Sequence, residues 1–200
     1  MATCRRRRCV RQLVLEAARA RASDALTLAT RDGDAKPLFA PYSPSPHATI
    51  DAVWTKLAAL QVALSADDLL VDLGCGDGRW LISGAQRFGC SALGIELDLK
   101  LVQRAKEHVA QQRLQGRVRV ELGDVLEADV SNATLVIVYA FADSVATVVS
   151  QLIEQLTEEA NVLSIGFRVP EWKASWGDRD GGLPWYFYRM SDCVGKRGKG

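Results

Sequence analysis

Three glycines at alternate positions, Gly74, Gly76 and Gly78, follow an apolar segment of the chain. Residues without a Cβ atom let a ligand lie directly against the backbone of a turn. Two carboxylates accompany them, because Asp72 precedes the glycines and Asp77 lies among them. The spacing differs from the Gly-x-Gly-x-x-Gly of dinucleotide-binding turns, and Asp77 would repel a pyrophosphate. The pattern therefore favours a cationic ligand that carries no phosphate.

Two further carboxylates follow predicted strands. Glu96 lies twenty residues after Gly76, where a carboxylate accepts hydrogen bonds from both hydroxyls of a ribose. Asp124 follows the next predicted strand, and we expect it to face the edge of an adenine. A nucleoside with positive charge and no phosphate matches S-adenosylmethionine, which carries a sulfonium, an ammonium and an adenosine.

An alternation of strands and helices must position these residues. The predicted strands are 69–73, 91–96, 118–121, 134–139 and 161–169, and the predicted helices are 47–64, 80–88, 98–114 and 144–156. Strict alternation predicts right-handed crossovers and a mostly parallel sheet with helices on both faces. Leu135 to Val138 is apolar at every position, which indicates the centre of the sheet. The aromatic segment 183–190 follows a turn-rich stretch and predicts an antiparallel hairpin at one edge. The expected fold class is α/β.

The entry to the first helix is rich in proline. Three prolines between Phe39 and His47 predict an extended, stiff segment. We expect Ser45 to cap the helix, with Pro46 at its first position. The helix then presents one apolar stripe to the sheet, formed by Ile50, Val53, Trp54, Leu57 and Leu60.

Charge is distributed unevenly along the 200 residues. Residues 1–36 contain nine Lys/Arg and four Asp/Glu, residues 37–190 contain thirteen and nineteen, and residues 191–200 contain three and one. An acidic middle disfavours a phosphate-rich partner. The Arg-rich start, Arg5 to Arg8, is typical both of an amphipathic mitochondrial presequence and of an ordinary solvated terminus or surface helix.

The five cysteines are scattered and lack a Cys-x-x-Cys pair, which predicts a reduced, intracellular protein without a metal site. No apolar run approaches the length of a membrane span, so we expect no transmembrane segment.

Four segments taken in chain order resemble the successive motifs of class I S-adenosylmethionine-dependent methyltransferases. They are Val71 to Gly78, Gly94 to Asp98, Gly123 to Leu126 and Val136 to Phe141. The proline-rich segment before the first helix, the Gly-Asp-Gly-Arg sequence and the segment Phe167 to Trp172 resemble a narrower group. That group comprises the small lysine methyltransferases that modify the c-ring protein of mitochondrial ATP synthase and the adenine nucleotide translocase, and their bacterial relatives.

The resemblance implies a single Rossmann-like class I methyltransferase domain, with S-adenosylmethionine as cofactor. The domain is expected over residues 38–190, preceded by a basic extension over 1–37 that is flexible or helical and followed by a basic tail over 191–200. The methionine end of the cofactor would contact Asp72, Gly74, Gly76 and Asp77, and a lid segment would contain Tyr42, Ser43 and Ser45. Glu96 would bind the ribose and Asp124 the adenine, and the remaining cofactor-contacting residues would be Cys75, Gly78, Leu97, Gly123, Val125 and Tyr139.

Three aromatic residues are the candidates for the acceptor side: Tyr139 and Phe141 after the fourth strand, and Trp172 after the fifth. Their alternative role is ordinary packing. The chain departs from the narrower group in the lid segment, where Ser43 and Ser45 replace a usual Thr, and after the fourth strand, where a usual proline is absent. These departures leave the shape of the acceptor side open.

We predict a protein-lysine N-methyltransferase whose partner is a protein with a target lysine. We expect a monomer that does not act on nucleic acid and is located in the cytoplasm or in mitochondria. Two alternatives remain. One is a methyltransferase of a small molecule, which would need a cap domain for which 200 residues leave little room. The other is a scaffold that binds a partner without catalysis, which would have no need of the glycines together with Glu96 and Asp124.

Overall fold

The structure is a computed structural model that describes residues 42–139, 154–178 and 182–194, together with Val148 and Leu152. The residues from Pro44 onward belong to one compact unit. The predicted extension, the predicted acceptor residue Phe141, most of the helix predicted over 144–156 and most of the basic tail lie outside the described residues. Within the described ranges, no helix is long and apolar enough to cross a membrane.

Seven strands form one sheet in the order β3-β2-β1-β4-β5-β7-β6. Their bounds are β1 Leu69–Leu73, β2 Ser91–Glu96, β3 Val118–Leu122, β4 Leu135–Val138, β5 Asn161–Ile165, β6 Trp176–Asp178 and β7 Trp185–Arg189. The first five strands pair in parallel, and β7 is antiparallel to both β5 and β6. The predicted α/β fold class with its C-terminal antiparallel hairpin is confirmed.

The all-apolar strand β4 lies at the centre of the sheet, as predicted, and all four of its residues are buried. It pairs with β1, and the register places Leu73 opposite Val138. Between β1 and β4 the order of the strands along the chain reverses. In open α/β sheets, ligands bind at the carboxyl ends of the strands near such a reversal. The glycine turn that follows Leu73 occupies this position.

Four helices are described: α1 His47–Ala59, α2 Arg79–Phe88, α3 Leu99–Gln111 and the short α4 Met190–Val194. The first three bury apolar side chains in a core with residues from six strands, including Leu70, Ile137, Leu163 and Phe187. Trp54 of α1 is fully buried and packs edge-to-face against Trp80 of α2. These contacts explain the apolar stripe of α1, of which Ile50, Val53, Trp54 and Leu57 are buried.

Several predicted boundaries are wrong in detail. Pro46, not Ser45, is the N-cap residue of α1, and its carbonyl accepts the first helical hydrogen bonds. The helix ends at Ala59 rather than Leu64, because Gln61 has a positive φ of 57°. The strand predicted to reach Val169 ends at Ile165, since Gly166 has φ 85° and its N–H donates to the carbonyl of Pro184 instead of continuing the sheet.

Candidate functional site

The glycine turn is held against the end of β2 by its own backbone. The N–H groups of Gly74 and Cys75 both donate to the carbonyl of Ile95, at 2.9 and 3.1 Å. The N–H of Gly76 donates to Glu96 Oε2 at 2.9 Å. All three glycines have positive φ angles, 81° at Gly74, 55° at Gly76 and 80° at Gly78, which residues with a side chain rarely adopt. The turn is therefore a preformed cradle that depends on glycine.

The individual glycines serve different purposes. A Cβ atom on Gly74 would have no atom within 4 Å, so the space above this residue is open to a ligand. A Cβ on Gly78 would lie 3.3 Å from the Cβ of Ala105 in α3. Gly78 therefore allows α2 and α3 to approach each other, whereas Gly74 faces the open side of the turn.

Cys75 points its side chain into the protein. It is 5% exposed, and a Cβ built on Gly94 of β2 would come within 2.6 Å of its Sγ atom. Burial, with the nearby charges of Asp72 and Glu96, raises the pKa of the thiol. A thiol in this state is not a nucleophile, so Cys75 contributes its backbone and its packing to the site.

Glu96 ends β2 and is nearly buried, at 8% exposure. Its Oε2 accepts from Gly76, and its Oε1 accepts from the N–H groups of Leu97 at 2.8 Å and Asp98 at 3.0 Å. A carboxylate offers about four acceptor positions. Three are thus occupied by the protein in this conformation, which the sequence did not indicate. The carboxylate holds the glycine turn as well as facing the site.

Asp72 is the most deeply buried carboxyl group of the site. It is 3% exposed, and its carboxylate has no hydrogen-bond partner among the residues that the structure describes. Burial, followed by the nearby charges of Glu96 and Asp77, raises the pKa of Asp72 from 3.8 to about 8. A buried anion without a partner is costly to keep. Its position suits a cation that arrives with a ligand.

Asp77 has a partner within the protein. Its Oδ1 accepts from Arg79 Nε at 2.9 Å, and its Oδ2 accepts from an Nη atom of Arg79 at 2.6 Å. The other Nη atom of Arg79 donates to the carbonyl of Ser45, also at 2.6 Å. The negative charge that the sequence placed at Asp77 is therefore offset by Arg79. The other acidic groups at the turn are Glu96 and Asp72, and Asp72 becomes negative only when it loses its proton.

His108 of α3 contacts the same turn. The ring is half-buried, and its Nδ1 lies 3.0 Å from the carbonyl oxygen of Asp77. A carbonyl only accepts, so Nδ1 carries the proton and donates. The available signal was helical spacing, since His108 lies three residues after Ala105, which packs against Gly78.

The predicted adenine side lies next to Glu96. The N–H of Gly123 donates to the carbonyl of Glu96 at 2.9 Å, which joins the ends of β3 and β2. Asp124 is half-buried, and its Oδ1 accepts from the N–H of Leu126 at 3.0 Å, capping the short 3-10 helix Val125–Glu127. The structure thus brings together the predicted residues at the ends of β2 and β3: Glu96, Leu97, Gly123, Asp124 and Val125.

Tyr139 follows β4 directly and is half-buried. It lies one residue beyond the pair Leu73–Val138, and therefore at the level of Gly74. A Cβ on Gly166 would come within 3.1 Å of its Cε2 atom, so the ring lies against the glycine that ends β5. Among the predicted acceptor-side residues, Tyr139 has a position beside the turn.

Trp172 has a packing contact away from the carboxyl ends of the strands. Its ring meets the ring of Tyr188 edge-to-face, with centroids 5.5 Å apart. Tyr188 lies opposite Val162, the second residue of β5. This contact favours packing as the role of Trp172, and its acceptor role stays a prediction.

Of the predicted lid residues, Tyr42 and Ser43 are exposed, and their role stays a prediction. Ser45 is 2% exposed and lies beside α2, where its Oγ accepts from Trp80 Nε1 at 3.0 Å. Within the described part of the chain, no three His, Cys, Asp or Glu side chains are grouped so as to hold a metal ion.

Comparison with known proteins agrees with this geometry. Residues 72–176 match the ANTKMT methyltransferase domain. Over 134 residues the chain is 29% identical to a protein-lysine N-methyltransferase of Saccharolobus islandicus (strain REY15A). The aligned region covers 66% of this chain and 80% of that protein. Over 103 residues it is 27% identical to the ATP synthase C-subunit lysine N-methyltransferase of Homo sapiens, covering 52% of this chain and 44% of that protein.

A crystal structure of an RNA methyltransferase from Salinibacter ruber, in complex with S-adenosyl-L-homocysteine, is similar with a TM-score of 0.68. It is 30% identical and covers 74% of this chain and 94% of that one. The open cradle at Gly74 and the buried carboxyl group of Asp72 fit such a nucleoside, whose amino acid end carries an ammonium beside its carboxylate. The chain therefore belongs to the ANTKMT methyltransferase domain family and is an S-adenosylmethionine-dependent methyltransferase.

Proposed function

We propose that this protein is a protein-lysine N-methyltransferase that binds S-adenosylmethionine at the glycine turn 74–78. The observation that carries the proposal is the buried carboxyl group of Asp72, the next-to-last residue of the strand that ends at the open glycine cradle, at the reversal of strand order. A dinucleotide would bring phosphates to this carboxylate, whereas S-adenosylmethionine brings an ammonium and a sulfonium.

The cofactor supplies the activated methyl group, so the protein mainly binds and aligns the reactants. Asp72 pairs with the positive charge of the methionine end, and the backbone at Gly74 and Gly76 allows its close approach. Backbone amides occupy three acceptor positions of Glu96, and the remaining position would accept a hydrogen bond from the ribose. Asp124 would hold the adenine side. A carboxyl group beside a cation ionises more readily, so Asp72, which holds its proton at neutral pH, would lose that proton to solvent where an ammonium lies against it.

The acceptor side is assigned to Tyr139. A lysine reacts as the neutral amine, and its proton must leave before the methyl group is transferred. An aromatic wall that excludes water disfavours the ammonium form and so favours the reactive amine. The half-buried ring of Tyr139, which lies against Gly166 directly after β4, would provide such a wall. This assignment requires no dedicated base.

The relatives support lysine as the acceptor, since two of them are named protein-lysine and ATP synthase C-subunit lysine methyltransferases. The charge of residues 37–190, with nineteen Asp/Glu against thirteen Lys/Arg, also suits a cationic acceptor segment. The proposal names the acceptor as a class, a protein with an accessible lysine, and names no individual protein.

The second candidate substrate is RNA, because the similar Salinibacter ruber protein is described as an RNA methyltransferase. The acidic excess of the domain argues against a phosphate-rich substrate. One experiment separates the candidates. The purified protein is incubated with methyl-labelled S-adenosylmethionine and a cell extract, and the products are divided into protein, RNA and small molecules.

We expect label in a protein band that survives nuclease, with methyl-lysine after hydrolysis. Label that nuclease removes would replace the lysine proposal with the RNA one, and label only in small molecules would replace it with metabolite methylation. The Asp72→Asn variant is the matched control, because it keeps the shape of the site and removes the charge.

We further propose that the chain acts as a monomer in an intracellular compartment, with its catalytic domain at 38–190 and basic segments on either side. The three cysteines in the described ranges, Cys75, Cys90 and Cys193, are free thiols, which suits a reducing compartment. The Arg-rich start supports mitochondria as an alternative to the cytoplasm. Fusion of residues 1–37 to a fluorescent protein, followed by microscopy, tests whether the protein is located in the cytoplasm or in mitochondria.

A further inference from the structure

A single arginine connects the glycine turn with the segment that enters α1. Arg79 is the first residue of α2. Two of its guanidinium nitrogens donate to the two carboxylate oxygens of Asp77, and the third donates to the carbonyl of Ser45 at 2.6 Å. The side chain is only 20% exposed. Each of its three nitrogens therefore has an acceptor, two in the turn and one in the entering segment.

Ser45 is bound a second time by the next residue of α2. Trp80 Nε1 donates to Ser45 Oγ at 3.0 Å, and the Trp80 ring packs edge-to-face against Trp54 of α1 at 5.2 Å. The hydroxyl and the carbonyl of Ser45 are thus both occupied by consecutive residues of one helix. The entry to α1 cannot move without disturbing the start of α2, and the start of α2 is joined to the turn through Asp77.

We propose that Arg79 is a positioning residue for cofactor binding, which joins the glycine turn, the start of α2 and the entry to α1 into one rigid unit. The inference rests on the proposed binding of S-adenosylmethionine at this turn. Arg79 acts through Asp77: the carboxylate is clamped by two parallel hydrogen bonds, and His108 holds the carbonyl of the same residue from α3. The peptide of Asp77 is thereby held from both sides, so the adjoining Gly76 keeps its N–H directed at Glu96.

The planar guanidinium is essential to this role. It presents its donors as a fixed fork, which matches the two oxygens of a carboxylate and leaves a third donor for another acceptor. A lysine ammonium at this position keeps the charge but is a compact point charge without the fork. The substitution Arg79→Lys therefore tests geometry while it leaves the net charge of the site unchanged.

The measurement is the affinity for S-adenosylhomocysteine by titration calorimetry, which does not depend on the acceptor. Arg79→Lys should raise the dissociation constant about tenfold, as expected for loss of one charge-assisted hydrogen bond. Arg87→Lys is the matched control, because Arg87 lies in the last turn of the same helix and donates to the exposed hydroxyl of Thr55 at 3.3 Å. It should bind within about twofold of the wild type. An equally small change for Arg79→Lys would overturn the proposal.

A double-mutant cycle separates positioning from general stability. If Arg79 acts through Asp77, the variant with both Arg79→Lys and Asp77→Asn should bind within about threefold of Arg79→Lys alone. If the losses of affinity of the two single variants instead multiply in the double variant, the proposal is overturned. In steady-state assays, KM for S-adenosylmethionine should rise about tenfold while kcat at saturation changes less than about threefold; a fall in kcat alone would also overturn it.

If Arg79→Lys does not fold, the Asp77→Asn variant tests the proposal, because it weakens the same pair of hydrogen bonds between Arg79 and Asp77. Its affinity for S-adenosylhomocysteine should fall about fivefold, and an unchanged affinity would refute the inference. Failure of the wild-type protein to bind S-adenosylhomocysteine would instead refute the proposed function.

Discussion

Replacement of Asp72 by asparagine should stabilise the protein and weaken its cofactor binding. Asparagine has nearly the same shape, so the change removes a charge and little else. In the folded protein burial raises the pKa of Asp72 from 3.8 to about 8. Well below the unfolded pKa the carboxyl is protonated in both states and contributes nothing. As the pH rises toward 8, the unfolded chain releases the proton and the folded chain keeps it. Stability therefore falls over this range.

The magnitude follows from that difference. One proton retained by the folded state lowers the free energy of unfolding by about 1.4 kcal/mol per pH unit. A pKa that is about 4 higher in the folded chain corresponds to a total of ~5 kcal/mol at pH 8. Asp72→Asn should lose this dependence. It should be more stable than the wild type at pH 8, by up to this amount, and nearly equal to it at pH 4.

Urea unfolding at pH 4, 5, 6, 7 and 8 measures the free energy of unfolding of both proteins. Asp68→Asn is the control, because Asp68 lies four residues earlier and has the opposite shift. Hydrogen bonds from Ser65 lower the pKa of Asp68 despite its partial burial. Its stabilisation is present above the unfolded pKa and is lost as the pH falls, so Asp68→Asn should be less stable than the wild type at pH 7.

Cofactor binding completes this prediction. The ammonium of the ligand pairs with the ionised carboxylate, so the affinity of the wild type for S-adenosylhomocysteine should rise between pH 6 and 7.5, by up to about tenfold per pH unit. Asp72→Asn should bind about 10- to 100-fold more weakly at pH 8, because a charge-assisted hydrogen bond is lost. Parallel pH profiles of stability for wild type and variant, or equal affinities, would refute the account of Asp72 as a buried carboxyl group whose ionised form pairs with the ammonium of the ligand.

Glu96→Ala should reduce cofactor affinity by about 1.5 to 3 kcal/mol in calorimetry, since it removes the proposed ribose acceptor and the anchor of Gly76; an unchanged dissociation constant would refute the ribose role. Tyr139→Ala should lower kcat more than cofactor affinity, and equal losses would move Tyr139 to the cofactor side. Gly94→Ala should cost about 1 to 3 kcal/mol of stability in urea unfolding, because the new Cβ would lie 2.6 Å from Cys75 Sγ; a neutral effect would contradict the packing. His108→Ala should weaken cofactor binding about fivefold, because the Asp77 carbonyl loses its hydrogen bond. Calorimetry tests this, with Gln111→Ala as a control variant at a solvent-exposed position of the same helix.

Much of the fold was predictable because its signals are local. The alternation of strands and helices, the all-apolar β4 and the aromatic hairpin are written in short runs of residues, where periodicity and glycine placement have a direct structural meaning. The ends of elements were less predictable. Residues 167–169 have the composition of a strand, yet β5 ends because Gly166 turns to Pro184.

By itself, the sequence determined the alternation of strands and helices and the edge of the sheet where the candidate site is proposed. The glycine turn, Glu96 and Asp124 follow predicted strands, and parallel strands bring their carboxyl ends to one edge. Only the tertiary structure decided which charges remain available. Asp77 is offset by Arg79, Arg79 also binds Ser45, 34 residues away, and His108 reaches Asp77 from 31 residues away. These contacts join residues that are far apart in the sequence and depend on how the helices pack across the sheet, so no short sequence pattern predicts them.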